Sequence, residues 1–293
     1  MRSFLLAIAV LAIIFFVFLI GMGFGLLISG EDAFGARDRV AVLTIDDIVL
    51  DSQIYLDSIS KIKKDDSIKA LVVRINSPGG AVGPSQEIYG EIKELREKMP
   101  VIASLGAVGA SGGYYIACGA EKILTNPGTI TGSIGVIAQF VNYDQLIRWA
   151  KMDVEVIKSG QFKDAGSPFR EMSEAEREYF QELIDNVHSQ FKLAVSEARG
   201  IAPDEIDRIA DGRVFTGEQA KNLRLVDEFG TLSDAINLAG TKGGIGEEPD
   251  VVYYPKRKAP FIDLLLSKFQ VPNISGFPVK ERFGLFYLVD IIR

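Results

Sequence analysis

Cysteine and histidine are almost missing from this sequence: one of each in 293 residues. A single cysteine, Cys118, excludes an internal disulfide. It lies in the apolar helical stretch Tyr114-Tyr115-Ile116-Ala117-Cys118 and reads as a buried structural thiol, because a reactive one needs an electropositive, partly exposed setting. A single histidine, His188, leaves a Ser-His-Asp hydrolase only one imidazole to use. Basic charge is also short. Thirty-two Lys and Arg against 39 Asp and Glu give a net charge of −7, so the basic face that a nucleic-acid partner requires is not expected. Apolar residues, at 47%, and glycine, at 29 residues, are plentiful. The glycines cluster between Gly79 and Gly135, which directs the search for chemistry there.

Charge is absent altogether from Phe4 to Ser29, an almost wholly apolar run. At about 1.5 Å per residue such a helix spans the hydrocarbon core of roughly 30 Å. Arg2 precedes it, and Glu31 and Asp32 follow. Positive charge stays on the cytoplasmic side, so the expected topology is a single pass with the N-terminus cytoplasmic and the body extracytoplasmic at the cell membrane. A cleaved signal peptide is the alternative. Its apolar region would be shorter, and Ala33-Phe34-Gly35-Ala36 matches the small-residue cleavage pattern poorly. Gly21 and Gly25 form one G-x-x-x-G pair, a weak packing signal.

The expected organisation is an anchor over 1–30, a linker over 31–38, a catalytic domain over 39–255 and an amphipathic tail over 256–293. Val40–Ile45 reads as a strand and Asp51–Lys64 as a helix with Ile54, Leu56, Ile59 and Ile62 on one face. Ala70–Ile75 reads as a strand buried on both faces. A helix over Pro84–Lys98, a strand over Val101–Leu105, a turn over Gly106–Gly109 and a helix from Ser111 to about Gly119 follow. Lys122–Thr125, Ile134–Phe140 and Met152–Lys158 read as further strands. Ser173 with Glu176 makes a capping box for a long helix to Arg199, with His188 beside its apolar stripe. Helices from Gly217 and from Thr231, the latter capped by Gly240, and a final strand Asp250–Tyr254 complete the pattern. Strand and helix alternate, which implies a parallel α/β architecture. In the tail, basic Lys256-Arg257-Lys258 precedes the helix candidate Phe261–Phe269, and Phe277–Ile292 is again apolar. This tail suits a segment docked on the domain or a neighbour, or a second contact with the membrane surface.

Gly109-Ala110-Ser111-Gly112-Gly113 sets a serine between small residues where a helix begins. Small neighbours let a carbonyl approach, and a helix N-terminus offers free N–H groups and partial positive charge to an oxyanion. The Gly112 N–H is one candidate donor. Gly79 or Gly80, from Ser77-Pro78-Gly79-Gly80 at the end of another strand, is the second. Alone, the serine motif suits a helix N-cap equally well. His188 falls inside a helix away from the glycine loops and is a poor base. Lysine is another solution for a serine nucleophile, and Lys163 lies in a small-residue loop, Ser159-Gly160-Gln161-Phe162-Lys163-Asp164-Ala165-Gly166-Ser167-Pro168. Neutralising a lysine at pH 7 requires burial to depress its pKa. Phe162 and an apolar substrate would help; Asp164 opposes this unless its carboxylate points away.

Asn76-Ser77-Pro78-Gly79-Gly80, Gly109–Tyr115, Thr131-Gly132-Ser133-Ile134-Gly135-Val136 and Gly160–Pro168 together resemble the short form of the signal peptide peptidase A family, also called protease IV. Arg213-Val214-Phe215-Thr216-Gly217, Gln219-Ala220 and Leu225-Val226-Asp227 extend the resemblance, which covers Val40 to Ala239. It implies an α/β fold of the ClpP/crotonase type built from stacked ββα units, and a Ser-Lys dyad carried here by Ser111 and Lys163. Ser133 matches the family serine that orients the lysine. The family acts on signal-peptide remnants at the membrane and assembles as a homo-oligomeric ring; no cofactor is implied. Arg224 departs from the family, which often has glycine before Leu-Val-Asp. The competing functions are a crotonase-type acyl-CoA enzyme, which would need a phosphate site and acidic catalysts, and a non-catalytic ring-forming membrane scaffold.

Overall fold

The computed structural model describes residues 13–21, 37–255 and 286–288. The chain divides into two units, Met1–Asp38 and Arg39–Arg293. In the first, residues 13–21 are helical and Ile13 to Ile20 are exposed. Among the described residues no helix is long and apolar enough to cross a membrane. Most of the expected span Phe4–Ser29, and the helix candidate Phe261–Phe269, lie outside the described residues.

The second unit is a mixed α/β fold around one central sheet. Its elements begin with β1 (Arg39–Asp46), α1 (Gln53–Lys64), β2 (Ile68–Ser77), β3 (Gly79–Ala81), α2 (Val82–Leu95), β4 (Val101–Ala110), α3 (Gly112–Ala117), β5 (Lys122–Thr125) and β6 (Ile130–Gly132). There follow α4 (Asp144–Trp149), α5 (Glu174–Arg199), α6 (Pro203–Ile209), β7 (Val214–Thr216), α7 (Gly217–Asn222), β8 (Glu228–Phe229), α8 (Leu232–Lys242), β9 (Asp250–Tyr254) and β10 (Phe286–Leu288). The sheet order is β7-β6-β4-β2-β1-β9, with β5 paired to β4 and β8 to β5. Every pairing in this sheet is parallel except β6 with β7.

The central strands are mostly apolar because both faces are covered along most of their length. Leu43, Ile45, Leu71, Val73, Ile75, Val101 and Ala103 belong to one core, shared with Ile59 of α1, Ile88 of α2, Tyr115 of α3 and Phe191 of α5. Their alternates Val40, Val42, Ala70, Val72 and Ile102 pack against Ala235 and Ala239 of α8. The row Val42–Val72–Ile102 is in register across β1, β2 and β4.

Several boundaries differ from the sequence reading. Gly106–Gly109 does not turn; β4 continues to Ala110, and the Asn76 side-chain oxygen accepts from the N–H groups of Ala107 at 3.1 Å and Val108 at 3.3 Å. The glycines there admit close neighbours: a Cβ on Gly106 would lie 3.0 Å from that oxygen. Ile134–Phe140 and Met152–Lys158 form no strand. The apolar residues of the second stretch have no sheet to bury them, and Ile157 is 94% exposed. Gly240 does not cap α8, which runs on to Lys242; the space beside Gly240 is taken by Gly246 and Pro249.

The capping box on α5 forms, with the Ser173 Oγ accepting from the Glu176 N–H at 3.3 Å and Glu176 accepting from the Ser173 N–H at 2.9 Å. The tail contributes an element that periodicity did not reveal. Its strand β10 pairs antiparallel with β3, setting Tyr287 opposite Gly80 and Leu288 opposite Gly79. Tyr287 is fully buried, stacked on Tyr115 at 5.3 Å and packed on Phe191 at 4.7 Å.

Candidate active site

Ser111 occupies the single residue between the end of β4 and the start of α3. Its backbone takes φ +52 and ψ −118, a conformation that costs a non-glycine residue roughly 1–3 kcal/mol and persists only where the surroundings enforce it. The enforcement is visible. The Ser111 N–H donates to Gly132 O at 2.8 Å, and its C=O accepts from the Tyr115 N–H at 2.8 Å. Ala110 is in register with Gly132 across β4 and β6, so the residues that follow, Ser111 and Ser133, lie side by side. Ser133 also has positive φ, +51, and its N–H donates to Arg213 O at 2.9 Å. Both serines are buried.

The glycine pair of β3 backs onto the same point. A Cβ on Gly79 (φ +112) would fall 2.8 Å from the Gly112 nitrogen, and one on Gly112 would fall 3.1 Å from the Gly80 nitrogen. Three backbones approach this closely only because all three residues lack side chains. The Gly112 N–H, first in α3, has no acceptor among the described residues, as a helix start dictates. The Gly79 N–H is held by the Ser77 Oγ at 3.2 Å. The Val49 N–H donates to Gly79 O at 2.9 Å and the Val49 C=O accepts from the Ala81 N–H at 2.8 Å, which leaves the N–H and C=O of Gly80 on the edge that faces β10. The sequence reading does not single out the Ser77 hydroxyl, although Ser77-Pro78-Gly79 carries its signal. The apolar stretch Phe277–Ile292 suits docking on the domain, as β10 does, but does not show that it docks as a strand.

Tyr114, three residues on from Ser111, lies in the core. It is fully buried and its hydroxyl donates to Leu225 O at 2.7 Å; burial pushes its pKa well up. Cys118 at the end of α3 is buried, and burial pushes its thiol up to about 12. His188 on α5 is partly buried, and its Nε2 has no partner among the described residues.

Lys163 sits in a run of turns, its N–H donating to Gly160 O at 3.1 Å, and it is exposed. Among the described residues no hydrogen bond joins it to Ser111 or Ser133. Its neighbour Asp164 is committed elsewhere. The carboxylate accepts from Arg170 Nε at 3.0 Å and from Lys158 Nζ, and these two cations, Arg170 first, hold the carboxyl well below its usual range. Arg170 in turn grips Glu176 at the start of α5, whose pKa falls to about 2 under that pairing. The loop is thus clamped to a helix cap by an Asp164–Arg170–Glu176 chain. The segment that carries Lys163 exposes many apolar side chains: Val141, Leu146, Trp149, Met152, Ile157, Phe162 and Phe169.

A strained, buried serine at a strand–helix junction, beside a second serine and a glycine pair, is an arrangement suited to acyl transfer. Comparison with known proteins agrees. Residues 93–245 match the family model described as Peptidase family S49. A Synechocystis protein that carries a protease name is 48% identical over 183 residues, covering 62% of this chain and 65% of that protein. Another protein with a protease name, from Methanocaldococcus jannaschii, is 36% identical over 204 residues, 70% of this chain and 65% of its own length. The chloroplastic serine protease SPPA of Arabidopsis thaliana is 32% identical over 226 residues, 72% of this chain and 33% of that protein. The matches thus span less than two thirds of the length of each of these relatives.

Proposed function

Because the chain belongs to peptidase family S49, we propose that it is a serine endopeptidase in which Ser111 is the nucleophile and Lys163 the general base. The observation that carries this reading is the backbone of Ser111, φ +52 at a strand–helix junction, held by Gly132 and Tyr115. Such strain clusters at functional sites, and a serine serving only as an N-cap does not need it. Neutral Lys163 takes the hydroxyl proton as Ser111 attacks a peptide carbonyl. The oxyanion rests on the Gly112 N–H, joined by the Gly79 or Gly80 N–H only where substrate draws it from the Ser77 hydroxyl or the β10 edge, and Ser133 orients the lysine. Lys163 then protonates the leaving amine, and water releases the acyl group.

In this reading the domain is of the ClpP/crotonase type and is anchored by Phe4–Ser29, with the catalytic unit extracytoplasmic. Its substrates are apolar peptides, signal-peptide remnants among them; a relative in Enterococcus faecium is named as a signal peptide peptidase. Copies assemble as a ring, and the base is completed on assembly. Support comes from the contrast between a buried Ser111 and an exposed Lys163 on a segment rich in exposed apolar side chains. Covering that surface would both bury the apolar area and desolvate the lysine, the condition its role requires.

Two measurements test the reading. A serine-reactive phosphonate should label Ser111, and both Ser111→Ala and Lys163→Ala should abolish hydrolysis of an unstructured apolar peptide; full activity in either variant overturns the dyad. Co-expressing the two inactive variants should then restore activity to about a quarter of wild type if each site draws its serine from one copy and its lysine from the next, across a heterologous interface. No recovery would place both groups in one chain.

A further inference from the structure

The face of the sheet turned away from Ser111 changes character along its length. Under α8 it is apolar, with the row Val42–Val72–Ile102 covered by Ala235 and Ala239. Two residues on, at the carboxyl ends of the same strands, the row is Thr44–Arg74–Ser104, and beyond it Asp46 pairs with Asn76. Here the helix cover stops. A crevice of ≈ 980 Å³ opens, floored by Thr44, Asp46, Arg74 and Asn76 and walled by Ile54 and Tyr55 of α1 and Tyr253 of β9.

Arg74 is the unexplained group in it. The guanidinium is partly buried, and Nη1 donates only to neutral acceptors, Ser104 Oγ at 2.9 Å and Leu105 O at 3.2 Å. Among the described residues no carboxylate lies within ion-pair distance, and Nε and Nη2 have no partner. Burial lowers its pKa, Asp46 offsetting this only from a distance. Holding a cation partly buried costs free energy unless an anion compensates it. A guanidinium with one edge tied to the protein presents the rest as a fork that matches a carboxylate. Crevices at the carboxyl ends of parallel strands are also where open α/β sheets hold ligands.

We propose that this crevice is a second peptide site, distinct from the Ser111 cleft, in which Arg74 receives the free terminal carboxylate of an apolar peptide. Asp46 and Asn76 accept from and donate to the peptide backbone, and Ile54, Tyr55 and Tyr253 hold its apolar side chains. Ile54 and Tyr253, both about half exposed (53%), are covered by the occupant. The choice of a peptide acid as ligand rests on the peptidase reading, since hydrolysis creates that carboxylate; the binding itself does not depend on catalysis.

The experiment uses the full chain in detergent with Ser111→Ala, so that no peptide is consumed. Acetyl-Leu-Ala-Leu-Ala with a free carboxylate, and the same peptide as its terminal amide, each carry a photoreactive leucine; labelled residues are mapped by mass spectrometry and affinities read by titration calorimetry. The acid should label residues among Ile54, Tyr55, Leu232 and Tyr253 and bind at least tenfold more tightly than the amide. Arg74→Gln should erase that preference, and Tyr253→Ser, at an exposed position that leaves the fold intact, should weaken the acid severalfold. Equal affinity of acid and amide, or labelling confined to residues near Ser111 and Gly79, overturns the proposal. The acid–amide comparison needs no substitution at Arg74, so it stands even if Arg74→Gln does not fold. Hydrolysis retained by the Ser111→Ala protein would count against the dyad and not against this site.

Discussion

At the scale of single residues, Ser111 sets a conflict between stability and chemistry. Its conformation is one that glycine adopts freely and alanine does not. Replacing it with glycine relieves strain of roughly 1–3 kcal/mol, less about 0.5–1 kcal/mol for the freedom glycine gains in the unfolded chain. In a domain of this size the net gain of about 1 kcal/mol raises Tm by about 2–4 °C. Ser111→Gly should therefore be inactive and melt higher than wild type, whereas Ser111→Ala, equally inactive, should not; calorimetry decides, and equal melting points for the two variants would remove the strain. The serine itself was legible from its glycine neighbours, but its dihedral angles were not, because they come from β6 holding its N–H from elsewhere in the chain. Arg224 repeats the lesson. It stands where the family often has glycine, and its φ of +62 shows why glycine suits that turn.

At the scale of elements, patterns that end in a cap were readable and patterns that rely on burial by distant strands were not. The Ser173–Glu176 box marked the start of α5 correctly, and Ala202-Pro203-Asp204-Glu205, a proline at the first turn followed by acids, carried the unread signal of α6. Alternating Met152, Val154 and Val156 imitated a strand, yet β-like alternation describes a half-buried surface and not a partner. The same region supplies a pH test. Arg170 holds Glu176 at about 2 and Asp164 lower than usual. A carboxyl depressed on folding adds stability above its ordinary pKa and loses it as pH falls through the folded value. The clamp on the Lys163 loop should thus be intact above about pH 4.5 and weaken progressively toward about pH 2. Urea unfolding followed across that interval should show falling stability, with a shallower fall in Glu176→Gln; an identical slope in the variant would mean that the clamp contributes nothing.

At the scale of the whole molecule, the parallel sheet followed from strand–helix alternation, while the apolar surface of the segment that carries Lys163 is the part that a single chain leaves unfinished. Trp149 is 81% exposed and Ile157 94%, on a segment with no buried apolar side chain to anchor it. Burying such side chains is worth about 1.5–3 kcal/mol each, enough for a few of them to govern association. Trp149→Glu and Ile157→Asp should lower the mass of the assembled protein in light scattering and reduce peptide hydrolysis together, while circular dichroism of the subunit stays unchanged. Activity that survives in a monomeric variant would separate catalysis from assembly.

The pairing of β1 with β9 also has a consequence for how the protein is made. Arg39 to Leu43, the first strand of the sheet, lie between Ile68–Val73 on one side and Asp250–Tyr254 on the other, and β3 waits for β10, some two hundred residues downstream. Contacts of such sequence separation form slowly, since loop closure must precede their reward. Until β9 and β10 have emerged, the outer edge of β1 and the glycine strand beside Ser111 are both open, so the emerging chain exposes an unpaired sheet edge that a chaperone or a second nascent chain can capture. Completion of the glycine strand beside Ser111 therefore waits on the emergence of β10.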